Sequence, residues 1–516
     1  MSEGKYRYLI KNFGILTLSN FGSKILSFVL IPLYTSVLTT AEYGVYDIYA
    51  TTVSLALPIL TLNISSAVIR FSLDKSNDPK RVFSIGLRRI IIAGLIFCLL
   101  IILNWRLGLI EVLAEYPQYL CMYMLSYMIY DLTSQFARGM EDVKGIAIAG
   151  IINSVIMLAL NIYFLKVLYI GLDGYFLANC FAYIFPCVFL ITRLHVWKYV
   201  SLRSIENSES IRKGKRIDGR NNSSDIIDAK SAGKDNNRSA SYTRNKLFNL
   251  RHRNSTLELE MTAYSKPLVF NSIAWWINNA SDRYVVTLLC GVAANGVYSL
   301  AYKMPSILNI VQTIFSEAWT LSAVKEFDEK NAQFYKNTYS TYNAGMVIIC
   351  SALILGDRIL AKMLFANEFY RAWEYAPWLM ISVVFGSLSG VLGGIFTASK
   401  KTKITAQTTI VGASVNTVLN FLLVSFVGPV GAAIATLISY VLVWIGRYRA
   451  ANRIIKMNIN LKRDIVSYVV LIIQAILMSA ITETFGYVLQ VVIFAIIIAV
   501  YYKDGMGILK KLLKKE

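Results

Sequence analysis

Three cations inside apolar runs are the residues of this sequence best placed to do chemistry. Lys24, Arg283 and Lys303 each interrupt a stretch long enough to cross a bilayer. A charge there costs about 2.5–3.5 kcal/mol on insertion scales, so each marks a partner or a function. All three stand on polar stripes. Thr17, Asn20, Lys24 and Ser27 follow at spacings of three, four and three, one face of a helix. Asp47, Thr51, Ser54, Thr61 and Ser65 make a second stripe, with Pro58 on it. Asn271, Trp275, Asn279 and Arg283 recur in steps of four, and Asp282 sits roughly 100° around the helix from Arg283. Ser299, Lys303 and Ser306 form a fourth stripe. Together they predict a hydrated, cationic cavity built from both halves of the chain. Fixed positive charges suit a pyrophosphate or another anionic head group, and hydroxyls and amides suit sugar. The competing reading pairs the cations with Asp47, Asp131, Asp282 or Glu317 and uses them only to lock helices together. Asp47, near a helix end, also reads as an interfacial residue. Arg70 and Arg138 end helices on the basic side, where topology accounts for them first and substrate capture second.

The elements that must carry these residues are membrane helices. Of 516 residues, 56% are hydrophobic and 16% charged, too apolar for an ordinary soluble protein of this size. Apolar runs of bilayer length predict helices at 13–37, 45–68, 83–104, 118–139, 145–168 and 172–193, then at 267–290, 295–319, 336–356, 372–397, 404–426 and 429–449, and finally at 464–483 and 485–503. The expected fold is an all-α integral membrane protein of about fourteen transmembrane helices. The opening MSEGKYRYLIKNFG shows no cleavable signal and leads into a first helix read as retained. Of 52 Lys and Arg, 44 fall on one side of this topology. Three lie within helices, and five (Arg106, Lys166, Arg358, Lys362, Arg371) fall on the other side. Basic loops stay cytosolic, so both termini are expected there. The net charge of +21 is then topology rather than a sign of nucleic acid binding.

Internal repeats organise the chain. GVYDIYA (44–50) returns as GVYSLAY (296–302), and EYPQYL (115–120) as EYAPWL (374–379). LNIYFL (160–165) matches LNFLLV (419–424), and GLDGYFLAN (171–179) matches GPVGAAIAT (428–436). The offsets of 252, 259, 259 and 257 residues are nearly constant. Two parallel copies of a six-helix unit are expected, related by an axis along the membrane normal. They occupy 1–195 and 263–455. Residues 456–516 add a helix pair and a basic tail without a repeat partner. The Ser-, Asn- and charge-rich stretch 196–262 reads as a polar cytosolic linker, with a docking element as the alternative.

Other chemistries find little support. Cys98, Cys121, Cys180, Cys187, Cys290 and Cys350 lack the spacing of a disulfide or metal framework. His195 and His252 lie in or beside the polar stretch without a ligand cluster. There is no phosphate-binding glycine loop, so no cofactor is expected. Pro32, Pro58, Pro186 and Pro305 within helices, and the glycine-rich SLSGVLGGIF (387–396), mark where bending is cheap.

KNFGILTLSNFGSKILSFVLIPLYTSVLTTAEYGVYD, AVIRF (67–71) and SDRYVVTLLCGVAANGVYSLAYK (281–303) resemble the multidrug/oligosaccharidyl-lipid/polysaccharide exporter superfamily. The nearest likeness is to its polysaccharide-repeat-unit flippases of the Wzx (O-antigen) type, over nearly the whole chain except 196–262. The resemblance implies a V-shaped bundle of two lobes in a bacterial or archaeal cell membrane. It implies transfer of an undecaprenyl-pyrophosphate-linked oligosaccharide from the cytosolic to the outer leaflet, with membrane lipids and polysaccharide assembly proteins as further partners. It also implies that Lys24 and Arg283 touch the pyrophosphate. Alternatives are a drug or small-cation antiporter of the same superfamily, which favours an acidic cavity, and a membrane-embedded glycan polymerase or ligase, which needs a sizeable outer loop.

Overall fold

The protein is described by a computed structural model covering residues 28–198, 234–325, 332–399, 401–481 and 484–513. Among the described residues the secondary structure is helical, without strands. Helix α1 is Ile31–Val37 and α2 is Thr40–Thr61. The start of α2 is set by a capping box, in which the Thr39 side chain accepts from the Glu42 amide and the Glu42 carboxylate accepts from the Thr39 amide. Then follow α3 (Ile64–Ser72), α4 (Pro79–Leu107), α5 (Pro117–Gly139), α6 (Val143–Asn161, continued by a π-helical turn to Val167) and α7 (Leu172–Arg193). The second half comprises α8 (Lys234–Cys290), α9 (Val292–Ala301), α10 (Ser306–Lys325), α11 (Ala332–Leu355), α12 (Ala376–Ala398), α13 (Thr402–Val427) and α14 (Pro429–Ile454). The pair α15 (Leu461–Ala480) and α16 (Thr484–Leu513) closes the chain. Pro79, Pro117 and Pro429 each sit in a first turn, where a missing N–H costs nothing.

Nine described helices are long and apolar enough to cross a membrane, or ten when the bent pair α2–α3 counts as one span. The other expected spans coincide with α5, which carries Asp131 and Gln135, with α8, with α9–α10, and with 13–37, described from residue 28 onward. Leu95, Leu99 and Ile102 line one exposed stripe of α4, the face a lipid-embedded helix turns to hydrocarbon. At the other extreme, 78% of the apolar stretch of α12 is buried. It packs against α10, α11 and α14 at the centre of the second half.

Two predicted helices are broken. The run 45–68 bends by 61° between α2 and α3, because Leu62 and Asn63 both adopt left-handed backbone angles (φ 53° and 56°). The run 295–319 is interrupted at residues 302–305, where Pro305 cannot donate to the preceding turn. Helix α8 begins at Lys234, inside the stretch read as linker. Its residues Leu257 and Met261, four apart, are buried, and Glu258 takes the guanidinium groups of Arg88 and Arg89 on α4.

The first-half helices pack on one another, as do the second-half helices, and the halves meet along α2, α8 and α9. Gly44 of α2 and Gly296 of α9 make this meeting possible. A Cβ on Gly44 would lie 2.1 Å from the Val292 carbonyl oxygen, and one on Gly296 would lie 1.9 Å from that of Thr40. Glycine therefore lets the two backbones touch directly. The contact is reciprocal: Thr40 corresponds to Val292 and Gly44 to Gly296 at the same offset of 252 residues. Two copies of one unit meeting across a twofold axis make such a contact.

Candidate functional site

Just beyond that crossing, α2 and α8 bring opposite charges together. Arg283 donates from Nη1 to Asp47 Oδ1 at 2.8 Å and toward Thr51 Oγ1 at 3.4 Å. Thr51 is one turn beyond Asp47 on the same face of α2. The other carboxylate oxygen of Asp47 accepts from Asn295 Nδ2 of α9 at 3.2 Å. Asp282 turns away from Arg283, as the angle between adjacent helical residues requires. Its carboxylate accepts from the hydroxyl of Tyr298 at 2.8 Å and from that of Tyr302. The guanidinium lies over the Tyr302 ring, 5.2 Å from its centroid, within cation–π range.

Around this centre, Trp276 Nε1 donates to the Thr51 carbonyl at 3.0 Å, and the Thr52 and Tyr284 hydroxyls are hydrogen-bonded. Lys303, at the break between α9 and α10, lies within the field of both Arg283 and Asp47 but makes no ion pair among the described residues. Three buried polar atoms here, Arg283 Nε, Asn295 Oδ1 and Thr287 Oγ1, find no hydrogen-bond partner among the described residues. Such atoms cost roughly 1–3 kcal/mol each when left unmade. The arrangement offers a donor and neighbouring acceptors at the junction of the two halves.

Of the residues singled out in the sequence, Asp47, Thr51, Asp282, Arg283 and Lys303 come together. Lys24 and Asn20 lie outside the described residues, as does the side chain of Asn279 on α8. Arg70 is exposed at the end of α3 and takes no part in the cluster's contacts. Arg283 is not a lone cation, since Asp47 is its partner. The described cluster balances Arg283 and Lys303 against Asp47 and Asp282. Asn295, Tyr298 and Tyr302 were not anticipated. The signal available was the four-residue spacing of the two tyrosines within the repeated GVYSLAY. Among the described residues no group of His, Cys, Asp and Glu could hold a metal ion.

A family model described as "Polysaccharide biosynthesis protein" matches residues 9–212. A protein of Haloferax volcanii named "Probable low-salt glycan biosynthesis flippase Agl15" is 24% identical over 188 residues. That match covers 34% of this chain and spans only 38% of the relative's length. Over the whole fold, a structure titled lipid II flippase MurJ, inward closed conformation, aligns with a TM-score of 0.61 at 13% identity, covering 97% of this chain and 100% of that one. An inward-facing MATE family transporter of the MOP superfamily aligns with a TM-score of 0.58 at 14% identity, covering 84% and 94%. Residues 9–212 are thus similar to that polysaccharide biosynthesis family, and the fold is that of the MurJ and MATE structures. In this multi-pass membrane bundle the Asp47–Arg283 pair ties the first half to the second.

Proposed function

We propose that the chain is a flippase that carries undecaprenyl-pyrophosphate-linked glycan repeat units from the cytosolic to the outer leaflet by alternating access, for polysaccharide biosynthesis. It works without making or breaking a covalent bond. The observation that carries the reading is Arg283, part-buried at the junction of the halves, with its buried Nε unpartnered and Nη1 on Asp47. A phosphate oxygen accepts from Nε and competes with Asp47 for Nη1, so arrival of the head group loosens the tie between α2 and α8. Lys303, and Lys24 from the run 13–37 of the sequence, add charge for the second phosphate. Thr51, Asn20 and Asn279 supply polar contacts to sugar, and the indole and phenol rings of Trp276 and Tyr302 supply stacking faces. The polyprenyl tail stays in hydrocarbon, because only the charged glycan is costly to move through it. In this reading lobes at 1–195 and 263–455 rock about their shared axis, joined through 196–262. The pair in 456–516 is an appendage, and both termini face the cytosol of a bacterial or archaeal cell. Membrane lipids and polysaccharide assembly proteins are its further partners.

The test is flipping of a fluorescent undecaprenyl-pyrophosphate oligosaccharide in proteoliposomes. Arg283→Ala alone strands the Asp47 carboxylate, which costs about 3–5 kcal/mol. The Arg283→Ala/Asp47→Asn double variant removes the stranded charge as well, and it is expected to insert normally and not to flip. Full transport by the double variant refutes the site. Export of a cationic dye, with no flipping of several glycans, moves the protein to the antiporters.

A further inference from the structure

A second concentration of positive charge lies away from the α2–α8 junction, where α13 begins and α14 ends. From Tyr375 to Arg463 the sequence contains no Asp or Glu. Lys401 and Lys403 stand at the start of α13, and Arg447, Arg449 and Arg453 at the end of α14. Between these helix ends is a cleft of about 430 Å³, with Lys401, Gln407, Thr408 and Arg453 as its polar lining and Ile404 and Ala450 among its apolar wall.

Arg447 stands behind that wall and is 9% exposed. Its guanidinium donates to neutral oxygens throughout: Nε to Thr408 Oγ1 at 3.0 Å, Nη1 to the Ser389 carbonyl at 2.9 Å and Nη2 to Thr409 Oγ1 at 2.9 Å. No carboxylate comes within ion-pair distance of it among the described residues. The charge is therefore fixed in a low-dielectric setting, one hydrogen bond behind the cleft, and uncompensated. Its bonds also stitch α12, α13 and α14 together, so the cleft is held open by a rigid frame. Lys401 and Arg453, both exposed, supply mobile cations at the mouth.

Farther along the same two helices the outer surface is hydrocarbon: Ile410 and Val411 are each 58% exposed, and Leu442 is 42% exposed. A cationic recess beneath an apolar, outward-facing helix surface matches one class of ligand in both parts. Basic pockets between membrane helices take lipid head groups in this way. We propose that the cleft between α13 and α14 holds the phosphate head group of an anionic membrane phospholipid, whose acyl chains lie along Ile410, Val411 and Leu442. A free inorganic phosphate satisfies the recess but leaves the apolar surface unused.

The test titrates the detergent-solubilised full chain with fluorescent phosphatidylglycerol and, separately, phosphatidylcholine. The anionic lipid is expected to bind at least about tenfold more tightly, since several Lys/Arg act on it at the head group. Lys401→Gln/Arg453→Gln, changed at exposed positions, is expected to weaken that binding roughly 20- to 30-fold, the effect of two surface cations, and to leave phosphatidylcholine unaffected. A control variant, Lys144→Gln/Lys336→Gln, is expected to bind like the unaltered chain. Equal binding of the two lipids, or an unchanged double variant, overturns the site. Complete displacement of phosphatidylglycerol by millimolar inorganic phosphate identifies a free-anion site and overturns the lipid assignment. Because the readout is lipid binding, its failure is separable from failure of glycan flipping.

Discussion

Gly296→Ala and Gly44→Ala probe the contact between the halves most directly. The added methyl carbons would stand 1.9 Å from the Thr40 carbonyl oxygen and 2.1 Å from that of Val292, where contacts below 3.0 Å are essentially never tolerated. Both obstacles include backbone, so no rotamer change relieves them. Helices α2 and α9 must part by roughly 1 Å, and overpacking of this kind costs about 1–3 kcal/mol. The same displacement stretches the 3.2 Å bond from Asn295 to Asp47 out of hydrogen-bond range, adding roughly 1 kcal/mol. Each single variant is therefore expected to lose about 2–4 kcal/mol. Once one methyl has opened the gap, the other enters a space already made. The double variant should be little worse than the poorer single, a coupling of order 1–3 kcal/mol between residues in contact. Denaturant unfolding in detergent micelles, followed by tryptophan fluorescence, measures all three. Additivity within about 0.5 kcal/mol, or a neutral single variant, would refute the shared-gap reasoning.

Other outcomes are as specific. Gln474 on α15 is fully buried, accepts from Ser351 Oγ at 2.8 Å and donates to the Ser351 carbonyl of α11 at 3.1 Å. Gln474→Leu should cost about 0.6–1.7 kcal/mol, the range for side-chain hydrogen bonds between membrane helices, read as a lower unfolding midpoint. Asp142, in the turn after α5, accepts from Arg193 at 2.5 and 2.9 Å. That hydrogen-bonded guanidinium holds its carboxyl below the usual range. Stability from the pair is present above the ordinary Asp pKa of about 3.9 and is lost as pH falls through the depressed folded value. Arg193→Gln should cost under about 1 kcal/mol at neutral pH, the pair being partly exposed, with the difference shrinking in unfolding curves as pH falls below the ordinary Asp pKa of about 3.9.

The sequence makes helix positions legible because bilayer-length apolar runs have few other uses, and because the repeats align independently of any one run. The 252-residue offset that relates GVYDIYA to GVYSLAY is also the offset of the glycine contact. Less visible is which carboxylate meets Arg283. Four were available, and the adjacent one, Asp282, is taken by the hydroxyls of Tyr298 on α9 and Tyr302 just after it, while Asp47, 236 residues away, is the partner. Adjacency along a helix sets a direction, not a contact. The bend after α2 left only a faint trace in residue type: Asn63 is of a kind that tolerates positive φ, whereas Leu62 looks like any other leucine. The start of α8 was hidden differently: its sequence before Leu257 is too polar for a span, and only the fold shows Glu258 meeting the charges of Arg88 and Arg89.

The reciprocal glycine contact also carries history. A self-complementary surface needs no covalent link, so two separate half-length chains, each presenting the same glycine to the same carbonyl, could associate through it as a homodimer. In such an ancestor every substitution at the crossing appears twice and must suit both partners at once. In a single chain that constraint does not apply, and the two sides of the crossing differ. Thr40 donates its hydroxyl to Glu368 at 3.1 Å, whereas its counterpart is Val292, which has no hydroxyl to give. The glycines, where neither side has room for a methyl group, are the same in both.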